Sequence, residues 1–176
     1  MNTRNYLTPT KKYKILISAI HSIYRLVNST FETKELVSRL ARLICQIFNA
    51  HSCLIILLDP TKKYSLFKCL ISGRKKCSIE KKTRVINRIE KKIIRTSASL
   101  RRDNLLGIPL VCEDTTGIVI IKRKQKGALA FDRFDQEMLT TIIEQATIGL
   151  KSLQLYEEQQ RIVLGSIKAM VTLLDT

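Results

Sequence analysis

Tryptophan is absent from the 176 residues, histidine occurs twice, proline three times and glycine six times. Two histidines, His21 and His51, cannot supply a His-rich metal centre, and neither H-E-x-x-H nor C-x-x-C occurs. The phosphate-cradling G-x-x-x-x-G-K, the dinucleotide-binding G-x-G-x-x-G and the nucleophile-elbow G-x-S-x-G are missing too. Scarce proline and glycine, with a hydrophobic fraction of 45%, exclude a linker or a disordered tail. No stretch reaches the roughly 18 consecutive apolar residues that cross a bilayer. The opening MNTRNYLTPTKKYK has no apolar core ahead of its charges and does not read as a signal peptide.

Acidic residues are the other shortage. Fifteen Asp and Glu stand against 31 Lys and Arg, a formal net charge of +16. Such a field favours RNA, DNA, an anionic membrane or an acidic protein partner. Basic runs lie at 11–14, 74–76, 81–84, 91–95 and 122–126, with Tyr13 and Tyr64 the nearest aromatics. No RNP-like stacking set and no helix-turn-helix pattern accompanies them, so nucleic-acid binding is an alternative and not the favoured reading. Five cysteines, at 45, 53, 69, 77 and 112, are odd in number; those in apolar runs read as free, small hydrophobes in a reducing, cytoplasmic compartment.

What is present is a clear order of elements. Helical spacing of Ile15, Ile20, Ile23, Leu26 and Val27 predicts a first helix over 12–28. Leu36, Leu40, Ile44, Ile47 and Phe48 predict a second, ending near Asn49, with an incomplete capping box at Thr33. HSCLIILL, 51–58, reads as a strand buried on both faces, and Asp59-Pro60 turns it into an antiparallel partner over 64–71. Residues 72–82 read as a basic loop, 85–89 as a short helix capped by Thr83, Ile93-Ile94 as a short strand and 96–103 as loop. Two strands follow, 105–112 and 116–122, joined by Glu113-Asp114-Thr115. Pro109 within the first predicts an edge position or a bulge. Residues 123–127 read as an exposed basic turn. Asp132, with Asp135 as its partner position, signals a helix start, and apolar residues then recur for about forty positions. Capping accounts for this acidic group without a metal. A helix of that length must project, pair with another chain or belong to a second domain. The fold class is α/β (α+β), with a mainly antiparallel sheet and the terminal helices on one face.

The order and spacing resemble a GAF domain over about 18–158. The residues carrying the likeness are Leu106, Ile108, Pro109 and Leu110, then Gly117 and Ile118. Phe134 with Asp135, Gln145-Ala146 and Leu155-Tyr156-Glu157-Glu158 complete it, and IFNAHSCLIILLD leads into the first strand. Residues 162–176, IVLGSIKAMVTLLDT, resemble the first helix of an HD-GYP-type phosphohydrolase domain, whose metal-binding residues would come later. The resemblances imply a flexible 1–11, a sensor domain over 12–158 and a signalling helix or output-domain start over 159–176.

The family implies a non-catalytic sensory or regulatory domain, with a small molecule bound between the sheet and the region 72–104. A ligand-free dimerisation scaffold is the alternative. Asn104 takes the place of a small polar pocket residue, and inward arginines among Arg74, Arg84, Arg95 and Arg102 would suit a small anionic ligand. No cofactor is required and its identity is unknown. The cyclic-nucleotide motif of some members is not met: its Asn is missing and Asp135-Gln136 replaces Asp-Glu. Cys77 lacks the neighbouring His that bilin attachment would need. Leu150, Leu153, Tyr156, Val163 and Ile167 are the expected dimer and signalling positions of a homodimer that relays to a downstream output domain.

Overall fold

The computed structural model describes residues 9–30, 32–59, 61, 63, 65–73, 77–81, 87–112, 114–124 and 129–174. In chain order these form α1 (Pro9–Asn28), α2 (Thr33–Ile47), β1 (Ser52–Leu58), β2 (Ser65–Ser72), β3 (Ser78–Lys81), α3 (Arg88–Thr96), β4 (Leu100–Arg102), β5 (Leu105–Cys112), β6 (Asp114–Lys122) and α4 (Arg133–Leu174). The strands make one six-stranded sheet in the order β3-β2-β1-β6-β5-β4, antiparallel throughout.

Strand alternation sorts the side chains into two layers. Cys53, Ile55 and Leu57 of β1, Val119 and Ile121 of β6, and Leu106, Ile108 and Leu110 of β5 pack beneath α2 and α4, and α1 extends the same core by packing on those two helices. Ile56, Leu58, Ile118, Ile120 and Leu105 point the other way, toward Ile93 of α3. The three-helix face is much the larger core. Each buried Ile or Leu contributes about 1.5–3 kcal/mol, so that face holds most of the stability and α3 rests on a thin apolar layer.

The middle of the chain differs from its sequence reading. Ser78–Lys81 is a strand and not loop, because it pairs with Phe67–Leu70 of β2. Leu100–Arg102 is likewise a short edge strand beside β5. Ile93-Ile94 belongs to α3, whose start is capped by Asn87, its side chain accepting from the Ile89 N–H at 3.0 Å. Thr83 and residues 85–86 of the helix predicted over 85–89 lie outside the described residues, and Arg88 and Ile89 open α3. Ser97, at φ 47, closes α3 in the left-handed region. Pro109 meets the expectation of an edge position, and an irregularity follows two residues on. β4 pairs only with Leu105–Gly107, leaving the outer edge of β5 unpaired at Pro109, and the register shifts between Leu110 and Val111.

The cysteines are a correction. Cys69 and Cys77 are joined by a disulfide, the pairing of β2 with β3 having placed Cys77 one residue ahead of Ser78, opposite Leu70. Cys45 and Cys53 are free thiols. They lie against each other: burial pushes the Cys53 thiol well up, and its hydrogen bond lowers that of Cys45.

Candidate functional site

Three features position α4. The first is its N-terminus. Asp135 N–H donates to Asp132 Oδ1 at 2.7 Å, and Asp132 N–H donates back to Asp135 Oδ2 at 3.1 Å. This reciprocal cap satisfies two amides that no helical carbonyl reaches. Arg123 completes it, with Nη1 3.4 Å from Asp135 Oδ2. Burial raises the Asp135 pKa despite the Asp132 amide and the Arg123 charge, both of which lower it. Arg123 is not the exposed turn residue expected. Its side chain is 15% exposed and donates to the Phe48 carbonyl from Nε (3.2 Å) and Nη2 (3.1 Å), and to the Leu129 and Ala130 carbonyls (3.0 and 3.3 Å). Its guanidinium also lies 4.1 Å from the Phe131 ring centroid. One arginine thus ties the end of α2 to the start of α4.

The second feature is Glu157. Its carboxylate accepts from the Thr33 backbone N–H at 2.6 Å and from the Thr33 hydroxyl at 2.9 Å. A carboxylate from α4 therefore does the work of the missing N-cap on α2, where the helix dipole favours a negative charge. Glu157→Ala is expected to cost about 1.5 kcal/mol, read by urea denaturation; Glu157→Gln should recover part of it. A loss under a few tenths would mean that water replaces the carboxylate at Thr33.

The third is the groove between α1 and α4. It encloses about 620 Å³ and is lined mainly by apolar side chains, including Ile20, Tyr24, Val27 and Ile148, with Asn28, Gln145 and Ser152 as polar groups. The helices approach closely at Gly149, where a Cβ would strike both γ-carbons of Val27. Tyr24 and Ile148 are 71% and 63% exposed. Past Glu158 every α4 side chain described is exposed, including Ile162, Val163, Leu164, Ile167, Met170, Val171 and Leu173. Of the expected dimer positions, Tyr156, Val163 and Ile167 are at the surface. Leu150 and Leu153 instead face the domain's own core, because they fall on the sheet-facing stripe with Leu139, Ile143 and Ala146.

Of the expected ligand residues, Asn104, Arg95 and Arg102 are among the described residues. Arg74 and Arg84 lie outside the described residues. Arg95 and Arg102 are exposed. The inward positions of α3 hold Glu90 and Ile93, 3% and 0% exposed, and Ile93 packs so closely on Gly107 that a Cβ there would lie 2.5 Å from Ile93 Cδ1. Asn104 is half-buried in the β4–β5 turn, where its carbonyl accepts from the Arg123 N–H at 2.9 Å. Among the described residues no group of three or more His, Cys, Asp or Glu is arranged to hold a metal ion, and no helix is long and apolar enough to cross a membrane.

This architecture matches solved structures. The GAF domain of an Acinetobacter phosphoenolpyruvate-protein phosphotransferase superposes with a TM-score of 0.63 at 14% identity, covering 78% of this chain and 93% of that one. The chain has the GAF fold. The GAF domain of the corresponding Coxiella burnetii phosphotransferase gives 0.64 at 10% identity, over 82% and 98%. The free methionine-R-sulfoxide reductase of Neisseria meningitidis gives 0.62 at 9% identity, over 84% and 92%. Neither a family model nor a curated protein matches the sequence. The matching structures include domains of phosphotransferases and a reductase alike, so function here rests on the site and not on the fold.

Proposed function

We infer that this GAF domain is a non-catalytic sensory or regulatory module that pairs with a second copy through α1 and α4 and relays its state along α4. The observation that carries this reading is the apolar groove between α1 and α4 together with the exposed apolar side chains of 162–173. A helix projecting into water with that many uncovered aliphatic groups favours a helical partner. A second copy supplies the same surface in register, as two-fold pairing requires.

Residues 159–176 are the link to an output domain in this reading. The likeness of 162–176 to the opening of an HD-GYP-type domain supports a phosphohydrolase there. A histidine and a His-Asp pair among the next fifty or so residues of the gene product would test it. Small-molecule control belongs to the same proposal, but not with an anion beneath α3. Glu90 is buried on that side, while Arg95 and Arg102 are exposed to water.

Native mass spectrometry of freshly purified protein tests the proposal. A dimer is expected at tens of micromolar, with Tyr24→Asp/Ile148→Asp giving a folded monomer. A wild-type monomer at that concentration overturns the pairing. A dimer that both aspartates leave intact moves the interface away from the α1–α4 groove.

A further inference from the structure

The surface of α3 is divided by charge. At about 100° per residue, Arg88, Lys91, Lys92 and Arg95 share an arc of roughly 100°, and all four are exposed. The opposite arc carries Glu90 and Ile93, both buried. The helix's one acidic residue is therefore hidden while its basic residues face water together.

The edge strand adds to the same side. Leu100 and Leu105 belong to the apolar layer under α3. Arg102 lies opposite Leu105 in the β4–β5 register, and directly opposite residues of an antiparallel pair share a face. Arg102 thus stands on the α3 side. Arg101, opposite Leu106 of the three-helix core, stands on the other. Among the described residues, none of Arg88, Lys91, Lys92, Arg95 and Arg102 makes an ion pair.

We propose that this α3–β4 face docks on the phosphate backbone of duplex nucleic acid without reading its sequence. A duplex presents one negative charge per about 1.7 Å of axis, and the basic arc of α3 runs about 10 Å, so several phosphates lie within its reach. Residues 87–102 contain no aromatic on which unpaired bases could stack, which argues against single strands. The basic arc holds no exposed apolar side chain that could enter a bilayer. The inference does not depend on dimerisation or on a relay through α4.

Anisotropy of two labelled duplexes of unrelated sequence, titrated with the full chain over a salt series, tests it. Neutralising about four phosphates gives a log–log salt slope near −4, a loss of a few hundred-fold between 0.05 and 0.2 M salt. R88Q/K91Q/K92Q/R95Q should weaken binding at 0.1 M salt by about a hundred-fold and flatten the slope by about 3. K151Q/R161Q/K168Q, on the exposed face of α4, serves as the charge control and should lose less than about ten-fold. A thermal melt by circular dichroism confirms that both variants fold. The proposal is overturned by absence of duplex binding at 0.1 M salt or by an equal loss in the control. Tighter binding to a single strand, or binding to phosphatidylserine vesicles without binding to duplex, also overturns it.

Discussion

Arg123→Met is expected to lower the free energy of unfolding by about 3 kcal/mol. Methionine keeps an unbranched apolar stem over Phe131 but donates nothing. The carbonyls of Phe48, Leu129 and Ala130 and the carboxylate of Asp135 then lose a shared donor in a half-buried position. Leaving such acceptors without a partner costs more than the net worth of the bonds, because each has already given up water. Arg123→Lys should recover about half: it keeps the charge beside Asp135 but cannot fork to Phe48 and to the 129–130 carbonyls together. Chemical denaturation checks both. Typical domains hold only about 5–15 kcal/mol, so the methionine variant should show a much lower midpoint. A loss below about 1 kcal/mol would mean that water already serves these carbonyls.

Gly117→Val is expected to cost about 3 kcal/mol or more. Gly117 lies in β6, opposite Leu57 of β1 on one side and Leu110 of β5 on the other. A Cβ there would strike the Ile56 carbonyl oxygen and come within 2.7 Å of Leu110 Cδ1. The leucine can turn aside; the carbonyl moves only with β1, the strand at the middle of the sheet. A branched side chain must therefore open the β1–β6 ladder. Gly165→Ala makes the matched comparison. Nothing lies within 4 Å of a Cβ at Gly165, and removing glycine from a helix interior stabilises by about 0.5–1 kcal/mol. Parallel urea curves should show opposite signs. A tolerated Gly117→Val would place β1 and β6 further apart than described.

The long elements were readable in the sequence because their signals are local. Asp132 and Asp135 stand three apart at a helix start, and their mutual cap is the one their spacing announces. The apolar repeat after them predicts a helix of about forty residues, and α4 has 42. β3 and β4 were unreadable because strands of four and three residues carry almost no periodicity; pairing with β2 and β5 makes them strands. The burial of Arg123 is hidden from the sequence for a related reason. Its main acceptor, the Phe48 carbonyl, lies 75 residues earlier in the chain, and a backbone oxygen leaves no mark in a sequence. Glu157 capping Thr33 across 124 residues is the same case. Arg95 is at the surface for a reason of phase: the positions of α3 that face the sheet are Glu90 and Ile93, half a turn away from its cations.

The hydrogen bonds of Glu157 have a geometric consequence. They hold α4 at almost the last point where it touches its own domain, and the helix runs on to Leu174 as a free arm of about 25 Å. For such an arm, a tilt of about 5° at the root sweeps the tip through about 2 Å, comparable to the helix shifts that switch packed interfaces. The contact of one carboxylate with Thr33 thus lies at the root of a long lever, where a small change of angle becomes a displacement of side-chain size at Leu174.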